Sequence, residues 1–244
     1  MQLYVLKQKG NNINGIKIYR LVKGLIFLIL LLFVRNIFGQ KKVEKSITSK
    51  ANRIVIEFNV IDEIKLTSSE EDLKIDLIAD SRDNTSPNVI LEEINGIVFI
   101  KSQEIFIDIN ELEVDKLCSV QPNYTSYQIN IPKGKIIDVS YTHGNFYTNN
   151  FKGDLNLKVE EGIVKINHFE GSVYVHINVG NVYIEGINDS KIDVRSNLGT
   201  ITSNLQLKDT VQNKSHIIDV FGSNFNDLNI NAILANIHLK SLKN

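Results

Sequence analysis

From residue 135 onward apolar and polar positions alternate in short runs, and glycine cuts the runs at fixed intervals. Gly144, Gly153, Gly162, Gly171 and Gly180 stand nine residues apart, with apolar residues two and four positions after each except at Thr148. Alternation at period two predicts a strand with one buried face, and a unit returning at constant length predicts the same short strand laid down repeatedly. The nines pair into an 18-residue unit: 144–161 reads GNFYTNNFKGDLNLKVEE and 162–179 reads GIVKINHFEGSVYVHINV. In these two copies the first half closes on an aromatic residue seven positions after the glycine, and the second half on an aliphatic one six positions after. A third copy, 180–198, carries one additional residue near Asn188 and Asp189 and has Ser190 where the glycine should stand. Residues 135–143 (KIIDVSYTH) supply an earlier second half, and Gly199 opens a further first half.

The predicted core follows. First halves bury Phe146 and Phe151, then Val164, Ile166 and Phe169, then Val182, Ile184 and Ile187; second halves bury Ile137, Val139 and Tyr141, then Leu155 and Leu157, Val173 and Val175, Ile192 and Val194. Such columns predict an all-β, single-stranded parallel β-helix, a β-solenoid whose 18-residue coils are built of two 9-residue half-repeats stacked at about 4.8 Å. The competing arrangement is an antiparallel meander with glycine in its hairpins, but a meander gives no reason for aromatic and aliphatic closers to alternate. A calcium-binding nonapeptide roll needs an aspartate in each turn. The residue five after each glycine is instead Asn149, Lys158, Asn167, His176 or Glu185.

Residues 47–125 also alternate (RIVIEFNV, LKIDLIA, GIVFIKS) but without a glycine period, which predicts an irregular β segment or early coils of the same stack. Residues 126–244 hold the glycine-punctuated coils, with a C-terminal cap in which Ile218 and Val220, Leu228 and Ile230, and Ile237 and Leu239 repeat the spacing. The one cysteine, Cys118, rules out an intramolecular disulfide framework and reads as an incidental thiol.

Residues 1–39 form the leader: Lys7, Lys9, Lys17, Arg20 and Lys23 precede the apolar run GLIFLILLLFV, with Gly39 before Gln40. A basic segment followed by a short apolar one predicts a secretory signal, the alternative being an uncleaved membrane anchor with Lys23 and Arg35 snorkelling. The protein is therefore expected to be exported to the periplasm, the outer-membrane surface or the medium, touching a membrane only through this segment if uncleaved. Without the leader, 21 basic residues face 28 acidic ones, a formal charge of −7. A surface of that sign disfavours nucleic acid.

The stretch YQINIPKGKIIDVSYTHGNFYTNNFKGDLNLKVEEGIVKI, a strand ending in Pro132-Lys133-Gly134 followed by glycine-punctuated repeats, resembles the adhesin families of unknown function, among them the auto-transporter adhesin head domain family. The leader ending FGQKK resembles those of the Bacteroidetes. The resemblance spans about residues 50–240 and implies a right-handed coil and export to the bacterial envelope. It supplies no catalytic residues.

Positions three and five after each unit start should face solvent. Second halves present Asp138, Asn156, Tyr174 and Asp193 beside Ser140, Lys158, His176 and Arg195; first halves present Tyr147, Lys165 and Tyr183 beside Asn149, Asn167 and Glu185. The candidate ligand-binding face comprises Tyr174, His176, Lys158, Arg195, Tyr147 and Tyr183, since rings flanked by amide and charged donors suit a glycan or another envelope protein. The competing reading is an ordinary solvated strand surface. The sequence points to a non-catalytic surface protein, an adhesin or binding module, and the rivals are a polysaccharide lyase or hydrolase and a purely structural envelope protein. An enzyme would need converging carboxylates, whereas Asp138 and Asp193 should lie three coils apart, about 14 Å. The five histidines show no metal-ligand spacing, and neither metal nor cofactor is expected.

Overall fold

The computed structural model describes residues 23, 41–81, 86–102, 125–206, 211–213, 215–223 and 225–241. The leader apart from Lys23, and Cys118, lie outside them. Every strand among the described residues lies in the unit Lys41–Asn244.

The glycine-punctuated region forms two long, repeatedly bent strands, β8 (Lys135–Glu170) and β9 (Ser172–Ile187). They pair in parallel at an offset of 18 residues: Leu155 with Val173, Leu157 with Val175, Val164 with Val182, Ile166 with Ile184. Like residues therefore stack on like. The predicted columns are buried throughout, from Ile137 at 0% to Tyr141 and Phe169 at 4% exposure. Thr148 joins them at the position Ile166 and Ile184 hold in later coils, a buried polar residue that the apolar pattern passes over.

The glycines mark corners at which one backbone crosses close above another. Gly162 has φ +155, and a Cβ there would fall inside the van der Waals radius of the Gly144 carbonyl oxygen, one coil below. Neither the conformation nor the space admits a side chain. Gly162→Ala should cost on the order of 3 kcal/mol or more, read from denaturant midpoints. Gly134, where a Cβ would meet nothing within 4 Å, is the control: there only the φ of +71 opposes alanine.

The strands are not stacked in sequence order. After β9 the chain passes Asn188 and Asp189 into β10 (Ser190–Ser196), which does not lie against the second half of β9. The C-terminal strand β14 (Asn226–Ser241) fills that place, parallel to both neighbours: Val175 pairs with Ile230, and Ile230 with Val194. In the first halves Ile237 lies between Val182 and Ile201 of β11 (Ile201–Ser203). Asp189, at φ 40, receives the amides of Phe225 and Asn226 on its carbonyl, while the Asn226 side chain accepts from the Gly171 amide and donates to the Asn188 carbonyl. The additional residue at 188–189 thus lets the chain step over a foreign rung.

The N-terminal end is built the same way. One rung, β2 (Arg53–Glu57) and β3 (Val60–Ser69), lies in parallel between β8 and a later rung made of β6 (Ile97–Ser102) and β7 (Thr125–Pro132). Beyond these rungs the pairing turns antiparallel. β1 (Lys41–Thr48) pairs with β4 (Lys74–Ser81), β4 with β7, and β5 (Val89–Ile94) with β6. At the other end, β12 (Val211–Asn213) pairs with β13 (His216–Phe221), and β13 with β10.

The sheet is therefore mixed, which corrects the expectation of a purely parallel arrangement. The cause is local for β5 and β6, where Asn95-Gly96, at φ 52 and 75, makes the tight hairpin that dipeptide favours. Antiparallel strands at the ends occupy groups that a bare parallel rung would leave open.

Candidate functional site

Alternate side chains of each strand point outward, and across the parallel register they fall into rows. On the first-half face Lys65, Tyr147, Lys165, Tyr183, His238 and Thr202 follow one another across the rungs, since Tyr147 pairs with Lys65, Tyr183 with Lys165 and with His238, and His238 with Thr202. Lys165 Nζ lies 5.7 Å from the Tyr147 ring centre and 5.4 Å from that of Tyr183. The Tyr183 and His238 rings stack at 4.8 Å with 8° between planes, and His238 Nδ1 is 2.7 Å from the Thr202 hydroxyl. Stacked along the rung direction, these rings spend their faces on one another and on an ammonium. Burial, with help from Glu63, pushes the Tyr147 phenol above its ordinary value. Lys65 and His238 belong to this row although the sequence did not single them out: their segments lie outside the uninterrupted repeat.

The second-half face differs. Tyr174 is 38% exposed, with Asn156 on the rung before and Asn229 on the rung after. It borders a depression of about 210 Å³ shared with Ile136, Leu155 and Val173. Lys158 and His176 are neighbours, as the 18-residue period requires. Arg195 is not, because Asn231 of the intercalated β14 stands between it and His176. Of the candidate residues on this face, Lys158 and His176 are therefore adjacent and Arg195 is separated from them by one rung. Arg195 instead donates to Asp193 through Nε at 3.1 Å and Nη2 at 3.2 Å, and His216 Nε2 lies 3.1 Å from the same carboxylate. Burial pushes the Asp193 carboxyl up, but the hydrogen bonds and charges of Arg195 and His216 outweigh it and hold the group below the usual carboxylate range.

Asp138 and Asp193 stand further apart than the three coils expected, because β14 adds a rung; the separation is about 19 Å at four rung spacings. Asp138 is engaged by Arg53 at 2.6 Å and by Asn156 at 3.0 Å. These two carboxylates cannot act as a pair. Among the described residues no three His, Cys, Asp or Glu side chains converge as a metal site, and no helix is long and apolar enough to cross a membrane.

No family model matches the sequence, and no curated protein matches it. Solved structures do. A protein from Clostridium sporogenes, named a "putative cell adhesion protein", superposes with a TM-score of 0.61 at 14% identity, over 83% of this chain and all of that one. A "putative adhesin" from Bacteroides fragilis aligns at 12% identity and a TM-score of 0.33, over 84% of this chain and 98% of that one. One of the same designation from Parabacteroides distasonis aligns at 9% identity and a TM-score of 0.26, over 84% of this chain and 98% of that one. The first likeness establishes a shared fold; at these identities none of them carries function.

Proposed function

We propose that this chain is an exported, non-catalytic binding protein of the cell envelope or surface, of the adhesin type, whose central rungs are coils of a right-handed parallel β-helix. The 18-residue parallel register supports the coil, and the strong preference of parallel crossovers for one hand supports its sense. The basic and apolar residues of the leader support export. The fold shared with the clostridial protein supports the adhesin reading.

The observation that carries the binding role is the setting of Tyr174. On the first-half face Tyr183 stacks on His238 and Lys165 lies over the Tyr147 and Tyr183 rings, whereas Tyr174 is exposed over an apolar depression with amides on both sides, an arrangement that suits a glycan or a protein surface. Replacing Tyr174, His176 and Arg195 together with Ala should abolish retention on glycan or cell-wall matrices and shift the thermal midpoint by no more than about 4 °C, since none of the three is buried. Unchanged retention would remove this face from consideration. Turnover of a polysaccharide by the wild type, lost in the triple variant, would establish an enzyme instead.

A further inference from the structure

A groove of about 330 Å³ runs along the second-half face beside the corner that leads into the first halves. The repeat itself shapes it. In every second half the sixth position points inward, here Tyr141 and Val159 at 4% and 2% exposure, and forms the floor. The fifth and seventh positions rise on either side, so each rung contributes one facing pair: Ser140 with Thr142, Lys158 with Glu160, His176 with Asn178. Phe58 closes one end, fixed by stacking on Tyr127 at 3.9 Å.

The spacing selects the class of ligand. Successive pairs come at about 4.8 Å, the rung interval, and a linear ligand in the groove must advance by nearly that much per unit to meet each of them. A peptide strand advances about 3.3 Å per residue and loses step by the second rung. A chain of pyranose rings, each close to one rung in length, keeps it. The wall chemistry agrees, because hydroxyl, amide and carboxylate groups are the partners that sugar hydroxyls take. On one wall Lys158 and His176 are in-register neighbours, and Lys158 makes no ion pair among the described residues.

We propose that this groove holds a three-sugar stretch of an acidic polysaccharide lying along the stacking direction. A uronate carboxylate would be taken by Lys158 beside His176, and the hydroxyl edges by Ser140, Thr142, Glu160 and Asn178. This rests on the reading of the protein as a glycan binder and names the class of glycan.

The probe is a galacturonate trimer, with its methyl-esterified form as the neutral control of identical rings and linkage, titrated calorimetrically against the full protein. The free trimer should bind at least about tenfold more tightly than the ester, as loss of a charge-assisted contact implies. Lys158→Gln should erase that difference without moving the thermal transition, and Glu160→Gln, which removes an opposing charge, should tighten the free trimer several-fold. Equal affinity for acid and ester, or no effect of Lys158→Gln, overturns the proposal. If neither trimer binds while the wild type is still retained on other glycan or protein matrices through Tyr174, the acidic groove is wrong and the binding-face reading stands. Failure of both retention and titration removes both.

Discussion

Removing residues 226–244 should strip the structure from residues 190–223 while leaving the coils of residues 125–187 folded. β14 is the partner of β9 on one side and of β10 and β11 on the other, so its loss opens the stack from within. It also withdraws Leu228, Ile230, Ile237 and Leu239, each buried to within 2%, from the core. Four such side chains contribute on the order of 10 kcal/mol, against a total stability of about 5–15 kcal/mol for a domain. Hydrogen exchange followed by mass spectrometry would show residues 190–203 and 215–223 unprotected in the truncated chain and protected in the full one. Retained protection at residues 190–203 with a near-native thermal transition would mean that β10 lies directly on β9, as a coil wound in sequence order would, and that the intercalation is wrong.

What the sequence could and could not disclose follows from how a repeat encodes structure. Period two within a unit fixes which residues face inward, and every column residue from Ile137 to Val194 is buried as the alternation requires. The period does not fix which rung meets which. Val173 and Val175, Ile192 and Val194, and Leu228 and Ile230 offer nearly the same apolar pair at the same positions, so any two of these rungs are sterically compatible. The order is decided at the corners, by the residue inserted at Asn188-Asp189 and by the bonds that Asn226 makes to Gly171 and Asn188. One sign was present: Ala235 stands in the glycine column, paired with Gly180, and its carbonyl lies where a Cβ on Gly199 would go, so a small residue near the C-terminus marks an interior corner.

The candidate site divides along the same line. Lys158 with His176, and Lys165 with Tyr183, are neighbours because each pair spans one uninterrupted repeat. Arg195 falls away from the others because it lies beyond the interruption. That the Tyr183 ring is covered while Tyr174 is open depends on His238, which reaches its place only through β14.

Val175→Asp should unfold the protein or destabilise it by about 5 kcal/mol, whereas Tyr174→Asp, one residue away, should change stability by less than about 1 kcal/mol. Val175 is fully buried between Leu157 and Ile230, not against Val194 as an in-order coil would have it. A carboxylate in that column faces hydrocarbon on the rungs above and below, and the loss combines the missing apolar contacts with the desolvation of a polar group, whether it stays charged or takes up a proton. The penalty should therefore persist at low pH, reduced but not abolished, because the neutral acid still lacks a hydrogen-bond partner. Tyr174 is more than a third exposed, so aspartate there keeps its water and gives up only β-propensity and part of a ring contact. Urea denaturation of the two variants at neutral and acidic pH separates the cases. Equal costs for the two substitutions would reverse the assigned inward and outward faces, and with them the exposure of Tyr174 on which the binding role depends.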